Sequence, residues 1–103
     1  MGQAVLRVAD LPEGALDAAA VFHAQWLGRA RDALAGKDAL VLIFASAAYD
    51  HRAWRAAAVQ DLARKAAPAR VNGVVGNDES GIDEAVDWVA QAPGITGQLL
   101  EVD

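Results

Sequence analysis

Polar side chains of types that bind or activate small molecules follow the most apolar run of the sequence, residues 39–45. They are Ser46, Tyr49, Asp50, His51 and Arg52. Hydroxyl, imidazole and guanidinium groups in one loop can bind a small anion or a polar metabolite. The same residue types also cap helices and make surface hydrogen bonds, so both interpretations stay open.

A second polar loop, with Gly76, Asn77 and Asp78, follows a later β-type segment, residues 70–75. In open parallel sheets, ligands bind beyond the carboxyl ends of the strands, so the two loops are expected to meet there. The sequence therefore predicts one candidate ligand pocket. Its residues are Ser46, Tyr49, Asp50, His51, Arg52, Gly76, Asn77 and Asp78.

Two other kinds of site are disfavoured by residue spacing. Ser46, Asp50 and His51 are the residue types of a hydrolytic triad, in which an imidazole activates the serine and a carboxylate orients the imidazole. However, Ser46 has alanine on both sides and does not lie in a Gly-x-Ser-x-Gly turn. His23 and His51 are the only histidines and have no carboxylates at zinc-binding spacing, so no metal site is predicted.

The elements that must position these loops alternate along the chain. The predicted elements are strand 4–8, helix 16–34, strand 39–45, helix 51–67, strand 70–75, a helix between Ser80 and Pro93, and strand 98–102. This order, β-α-β-α-β-α-β, indicates an α/β fold, a small three-layer domain with a four-stranded parallel sheet. The continuously apolar run 39–45 favours a central strand that is covered on both faces.

Local signals predict where the helices begin and end. Gly36 terminates the first helix, and Pro68 terminates the second. Asp50 is the expected N-cap of the second helix. Ser80 is expected to accept hydrogen bonds from the first-turn amides of the third helix, in an arrangement that resembles a capping box with Asp83.

The charge, cysteine content and hydropathy of the sequence disfavour several classes of function. The net charge is −5 and the nine cationic residues are scattered, so a nucleic-acid partner is not expected. The absence of cysteine excludes disulfides and thiolate metal sites. The run 39–45 is far shorter than the roughly 20 residues of a membrane-spanning helix, and the first residues do not form a signal-peptide pattern. We therefore expect one cytoplasmic domain over residues 1–103, with no membrane association.

Three tryptophans, Trp26, Trp54 and Trp88, are many for a chain of 103 residues. Core packing accounts for such residues, with each indole finding a hydrogen-bond partner at the edge of the core. A surface for a protein partner is the alternative. Trp54 lies in an alanine-rich helix, and small side chains permit the close approach of another helix.

Two segments carry a resemblance to a known family. The first runs from Ala67 to Val75 and reads APARVNGVV, and the second runs from Pro93 to Asp103 and reads PGITGQLLEVD. They resemble the short-chain dehydrogenase/reductase family, in which an Arg-Val-Asn strand follows a helix and an Ile-Thr-Gly-Gln segment enters the last strand. The resemblance implies the carboxyl-terminal half of a Rossmann-like domain, with helix 51–67 in place of the helix that bears Tyr-x-x-x-Lys.

The parts that support catalysis in that family are missing. No Gly-x-x-x-Gly-x-Gly or Gly-x-Gly-x-x-Gly segment is present to cradle a dinucleotide pyrophosphate. Tyr49 is followed four residues later by Ala53, and placing Arg52 at the lysine position puts Ala48 at the tyrosine position. The reaction needs a phenol beside an ammonium group. We therefore predict no catalytic and no cofactor-binding residues, with NAD(P) bound only at a site shared with another chain.

The resemblance also implies a partner. In the family, the helices that correspond to 16–34 and 51–67 pair with those of a second subunit as a four-helix bundle. The expected interface residues are Trp26, Ala30, Trp54, Ala57 and Ala58. We therefore expect a truncated, non-catalytic assembly module that forms a homodimer or joins a full-length dehydrogenase. The alternative is a residual NAD(P)- or small-metabolite-binding oxidoreductase whose site another chain completes.

Overall fold

In the computed structural model, which describes residues 2–102, four parallel strands form one sheet. The strands are β1 (Gln3–Val8), β2 (Ala39–Phe44), β3 (Arg70–Val75) and β4 (Leu99–Glu101). They lie side by side in chain order, so each connection leads to the neighbouring strand. This confirms the predicted α/β fold with a four-stranded parallel sheet. The predicted domain also includes residues 1 and 103, which lie outside the described residues.

The connections between the strands are helical. The helices are α1 (Ala15–Val21), α2 (Leu27–Leu34), α3 (His51–Ala66) and α4 (Glu79–Ala90). Between α1 and α2 the chain continues as a π-helical turn, Phe22–Trp26, so the predicted helix 16–34 is one helical region with a locally wider turn. Gly36 follows with a φ of 75°, a left-handed conformation that glycine adopts without strain, which confirms the predicted stop.

The helices cover the two faces of the sheet in separate layers. The residues Phe22, Phe44 and Val59 belong to the core on one face, where the first helical region and α3 pack. Ile82 and Val89 of α4 belong to the core on the other face. All six residues of β2 are buried between these layers. The three-layer arrangement and the doubly covered central strand are therefore confirmed.

Two predicted helix caps differ from the structure. Asp50 occupies the N-cap position of α3, but its side chain makes no capping hydrogen bond within residues 2–102. The cap predicted at Ser80 is wrong, because α4 begins at Glu79 and Asp78 is its N-cap. The Asp78 carboxylate accepts a hydrogen bond from the Gly81 amide at 3.0 Å and another from the Ser80 hydroxyl at 2.8 Å. The Asp78 carboxylate, placed before the first turn, thus performs the role expected of Ser80.

The two segments that carry the family resemblance meet beside β3 and β4. Asn72 is buried; its amide nitrogen donates to the Ile95 carbonyl, and its side-chain oxygen accepts from the Gln98 amide, both at 3.0 Å. The Val71 amide donates to the Thr96 hydroxyl at 3.1 Å. These bonds hold the chain that enters β4, so the motif residues have a structural role at the end of the sheet opposite the polar loops.

Two glycines in or next to these segments serve different purposes. Gly97 has a φ of 73°, so it turns the chain before β4. Gly76 is needed instead for close packing, since a Cβ atom there would lie 2.7 Å from the carbonyl oxygen of Val102. Its role is to let the residue that follows β4 approach.

Candidate functional site

The two loops of the candidate pocket are in direct contact because β2 and β3 end side by side. Phe44 pairs with Val75 in the sheet, and the Gly76 amide donates to the Phe44 carbonyl at 3.1 Å. The Ser46 amide donates to the Asn77 side-chain oxygen, also at 3.1 Å. The carboxyl ends of neighbouring parallel strands bring these residues together, as the topology requires. Ligand binding by this set stays a prediction.

Three of the candidate pocket residues face solvent or have another structural task. Tyr49 is 88% exposed. Asp50 is exposed on the turn before α3, while the Asp78 carboxylate caps α4. All three residues are exposed at the outer surface of the loop cluster.

His51 is buried, and both of its ring nitrogens have partners. The indole nitrogen of Trp54 lies 3.1 Å from Nδ1, and the Glu13 carbonyl lies 2.8 Å from Nε2. Because an indole nitrogen only donates, Nδ1 accepts and the Nε2 proton is donated to Glu13. Neither nitrogen is free to activate Ser46, so the hydrolytic triad is not formed. His51 instead connects the start of α3 to the loop after β1.

Arg52 ties the loop after β2 to the last strand. Its guanidinium group forms an ion pair with the carboxylate of Glu101 on β4. Both side chains are largely exposed, so the pair contributes about 1 kcal/mol at most. The ion pair closes one side of the loop cluster. The Glu101 carboxylate also balances the positive charge of Arg52.

Arg55, one helical turn after His51, is a candidate that the sequence interpretation missed. It is only 6% exposed, and its Nη1 donates to the Ala45 carbonyl at 2.8 Å. The guanidinium carbon lies 4.8 Å from the centre of the Phe44 ring and 5.7 Å from that of Trp54. The available signal was spacing, since Arg55 falls four residues before Val59, on the apolar stripe of α3.

The buried guanidinium group of Arg55 is incompletely compensated. Its Nε is buried without a hydrogen-bond partner in the described part of the chain. No carboxylate of residues 2–102 forms an ion pair with it. Loss of hydration on burial lowers the pKa of Arg55. The two aromatic faces offset part of this cost, and the remaining donors are available to an acceptor that the chain itself does not provide.

Arg55 lines an open cleft with a volume of about 330 Å³, which we call the β1–β2 cleft. The cleft lies between the loop that follows β1 and the loop that follows β2, and its polar lining includes Asp10, Glu13, Ser46 and His51. A smaller cavity of about 40 Å³ adjoins the other side of Arg55, next to Arg52. The site therefore has one buried cation at its base and carboxylates at its rim.

Residues 2–102 contain no group of three or more histidine or acidic side chains that could hold a metal ion. Within the same range, every helix is too short or too polar to cross a membrane.

Three of the five residues expected at a dimer interface are buried in the chain's own core. Trp26, Ala30 and Ala58 are 8%, 0% and 3% exposed. Trp54 is half-buried, with its ring centre 5.5 Å from that of Phe22. Ala57 is exposed. Only Ala57 and part of Trp54 are therefore accessible to a partner, because the other three side chains fill the space between the helices and the sheet.

Comparison with known proteins agrees with the fold and with the two motif segments. Residues 6–102 match the family model SDR-like, described as short chain dehydrogenase-like protein. No curated protein and no solved structure matches the chain. Since the family model covers nearly the whole sequence, this chain belongs to the SDR-like family of short chain dehydrogenase-like proteins.

Proposed function

We propose that this chain is a non-catalytic member of the SDR-like family and acts as an assembly module that pairs with a second copy of itself. The observation that carries the proposal is the position of the Tyr49 side chain, which is 88% exposed and whose hydroxyl forms no hydrogen bond within residues 2–102. The two lysines of the sequence are Lys37, before β2, and Lys65, in the last turn of α3. The Tyr49 hydroxyl therefore lacks the neighbouring lysine ammonium group that the Tyr-x-x-x-Lys arrangement places beside the phenol.

The pairing surface that we propose consists of exposed residues on α1, the π-helical turn, α2 and α3, which lie on one face of the sheet. It comprises Leu16, Ala20, Ala24, Gly28, Ala53 and Ala57. Leu16 is 85% exposed, which supplies apolar area that pairing would remove from water. The other side chains are small, so a second pair of helices can approach closely.

Size-exclusion chromatography with light scattering tests this proposal. We expect the purified chain to have twice its monomer mass of 10.7 kDa. Ala57→Arg places a charge in the proposed surface and should give the monomer. Ala90→Arg is the matched control, since Ala90 is equally exposed but lies on α4. A monomer at every concentration, or a dimer that Ala57→Arg leaves intact, contradicts self-association through this surface.

The non-catalytic part of the proposal has a separate test. Titration with NAD and NADP, followed by the fluorescence of the tryptophans, should show no saturable change, and no nicotinamide-dependent turnover should be detected. Binding in the micromolar range would contradict it.

A second candidate is a site for NAD(P) or another small metabolite that another chain completes. It is favoured by the edge position of β1, which pairs with β2 on one side and has no strand on its other side within residues 2–102. Val5 on this edge strand is 49% exposed. Co-expression with a full-length dehydrogenase, followed by nucleotide titration of the complex, separates this candidate from the first.

A further inference from the structure

We propose that Arg55 anchors a binding site for a small aliphatic carboxylate in the β1–β2 cleft. This inference does not depend on self-association or on the absence of catalysis. It rests on the unused donors of a buried cation, on the charges around it and on the lining of the cleft.

The free edge of the guanidinium group matches a carboxylate. Arginine presents five N–H donors in a planar fork, and in residues 2–102 the fork uses Nη1 alone, in the bond to Ala45. Nε is buried without an acceptor, and Nη2 lies beside it on the same edge. Two parallel hydrogen bonds from such an edge to one carboxylate are strong and directional. Because Nε is fully buried, a carboxylate in the cleft reaches this edge only when the Arg55 side chain shifts toward the opening, and it then gives Nε the acceptor that it lacks.

The surrounding charges select an anion with a single negative charge. Among residues 2–102, Arg55 is the one arginine or lysine that lines the cleft, and Asp10 and Glu13 line it as well without pairing with Arg55. A dianionic phosphate would be opposed by these two carboxylates, whereas a monoanion can be balanced by one guanidinium group. The His51 ring has no nitrogen left for the anion, because its Nδ1 accepts from the Trp54 indole and its Nε2 donates to the Glu13 carbonyl.

The rest of the cleft suits a short apolar chain. Val8, Leu11, Pro12, Ala47 and Ala48 contribute to its lining. These side chains can contact methylene groups, while the Ser46 hydroxyl at the same opening can bond to a polar substituent. The chemistry therefore points to a carboxylic acid of a few carbon atoms, with the carboxylate on Arg55 and the chain toward the loop after β1.

Titration of the full chain with sodium butyrate tests the proposal. Sodium chloride keeps the ionic strength constant, and neutral butyramide and inorganic phosphate serve as comparison ligands. The readouts are the Nε–H resonance of Arg55 in a nitrogen–proton NMR spectrum and the fluorescence of Trp54, whose ring lies against the guanidinium group. We expect a saturable response to butyrate and a response to butyramide and phosphate that is at least about tenfold weaker.

Variants establish whether Arg55 is the anchor. Arg55→Met keeps an unbranched side chain and should weaken butyrate binding by about tenfold or more, since two charge-assisted hydrogen bonds are lost. Arg64→Met is the matched control on the same helix, because Arg64 is exposed and paired with Asp61. No saturable response of the wild-type chain, equal binding by Arg55→Met, or a stronger response to phosphate would overturn the proposal. If Arg55→Met does not fold, the wild-type Nε–H titration decides alone.

Discussion

Asn72 and Asn77 are the same residue type in opposite environments. Asn72 is 1% exposed, and both the nitrogen and the oxygen of its side-chain amide form hydrogen bonds to the segment that enters β4. Asn77 is exposed and accepts a single hydrogen bond from Ser46. Water can replace a bond lost at the surface but reaches a buried group only at a cost. The same chemical group should therefore contribute very differently to the stability of the fold.

Replacing each asparagine by alanine tests this difference. Asn72→Ala should lower the free energy of unfolding by about 2 kcal/mol or more, because it leaves the Gln98 amide without its acceptor and leaves the Ile95 carbonyl with Arg70 as its donor. Asn77→Ala should lower it by less than about 1 kcal/mol. Urea denaturation followed by tryptophan fluorescence measures both values, and equal losses would show that the buried network is not what holds β4.

Arg55 and His51 show that position in the fold decides the role of a polar side chain. His51 resembles a catalytic residue in its type and surroundings along the sequence, yet the structure uses both ring nitrogens in hydrogen bonds. Arg55 looks like an ordinary surface arginine in an alanine-rich helix, yet it is buried with an unpaired Nε. The residue of greater functional interest is therefore the one that the local sequence makes less conspicuous.

At the scale of elements, α3 and α4 each begin after an aspartate, but the two aspartates act differently. Asp78 has an extended backbone, with φ −84° and ψ 115°, so its carboxylate can reach the Gly81 amide. Asp50 has helical angles, φ −65° and ψ −13°, and its carboxylate makes no capping bond in the described residues. The backbone conformation before the first turn, and not the residue type, decides whether a cap forms.

Alanine substitutions at the two aspartates are expected to separate these cases. Asp78→Ala should lower the free energy of unfolding by about 1 kcal/mol, because the first turn of α4 loses its side-chain acceptor. Asp50→Ala should change it by less than about 0.5 kcal/mol, since an exposed side chain without a bond is removed. Urea denaturation under identical conditions compares them. A larger loss for Asp50→Ala would mean that its carboxylate stabilises the amino end of α3 through its charge.

At the scale of the whole molecule, the two ends of the sheet differ. The amino ends of the strands hold the fold together, and the carboxyl ends form the open end with the candidate site. The family motifs act at the amino ends of β3 and β4, where Asn72 and Thr96 hold the last strand in place. The carboxyl ends carry the cleft, Arg55 and the contact between the two polar loops.

Self-association should also appear in the thermal stability of the whole molecule. Because a dimer is favoured by mass action, the melting temperature of the wild-type chain is expected to rise with protein concentration. The Ala57→Arg variant should melt at a temperature that does not depend on concentration. Differential scanning calorimetry over a wide concentration range measures this difference. A melting temperature of the wild-type chain that stays constant would contradict the proposed pairing.

The architecture was predictable because its signals are local. The continuous apolar run 39–45 indicated a doubly covered strand, and all six residues of β2 are indeed buried. Gly36 and the spacing of Phe22, Trp26 and Ala30 indicated the first helical region and its end. Such patterns depend on the geometry of a single helix or strand, so neighbouring residues are enough to determine them. The π-helical turn at Phe22–Trp26 has no comparable signal in the sequence.

The sequence by itself determined the parallel α/β fold and the absence of a Tyr-x-x-x-Lys segment, since both depend on residue types at fixed spacing. Only the tertiary structure decided the state of the candidate site. His51 meets Glu13, 38 residues earlier in the chain, and Arg55 is enclosed by Phe44 of β2 and the Ala45 carbonyl. Burial and hydrogen-bond partners arise from segments that meet only when the sheet forms. For this reason the pattern of polar residues predicted where the site lies, but not which side chain remains free to bind a ligand.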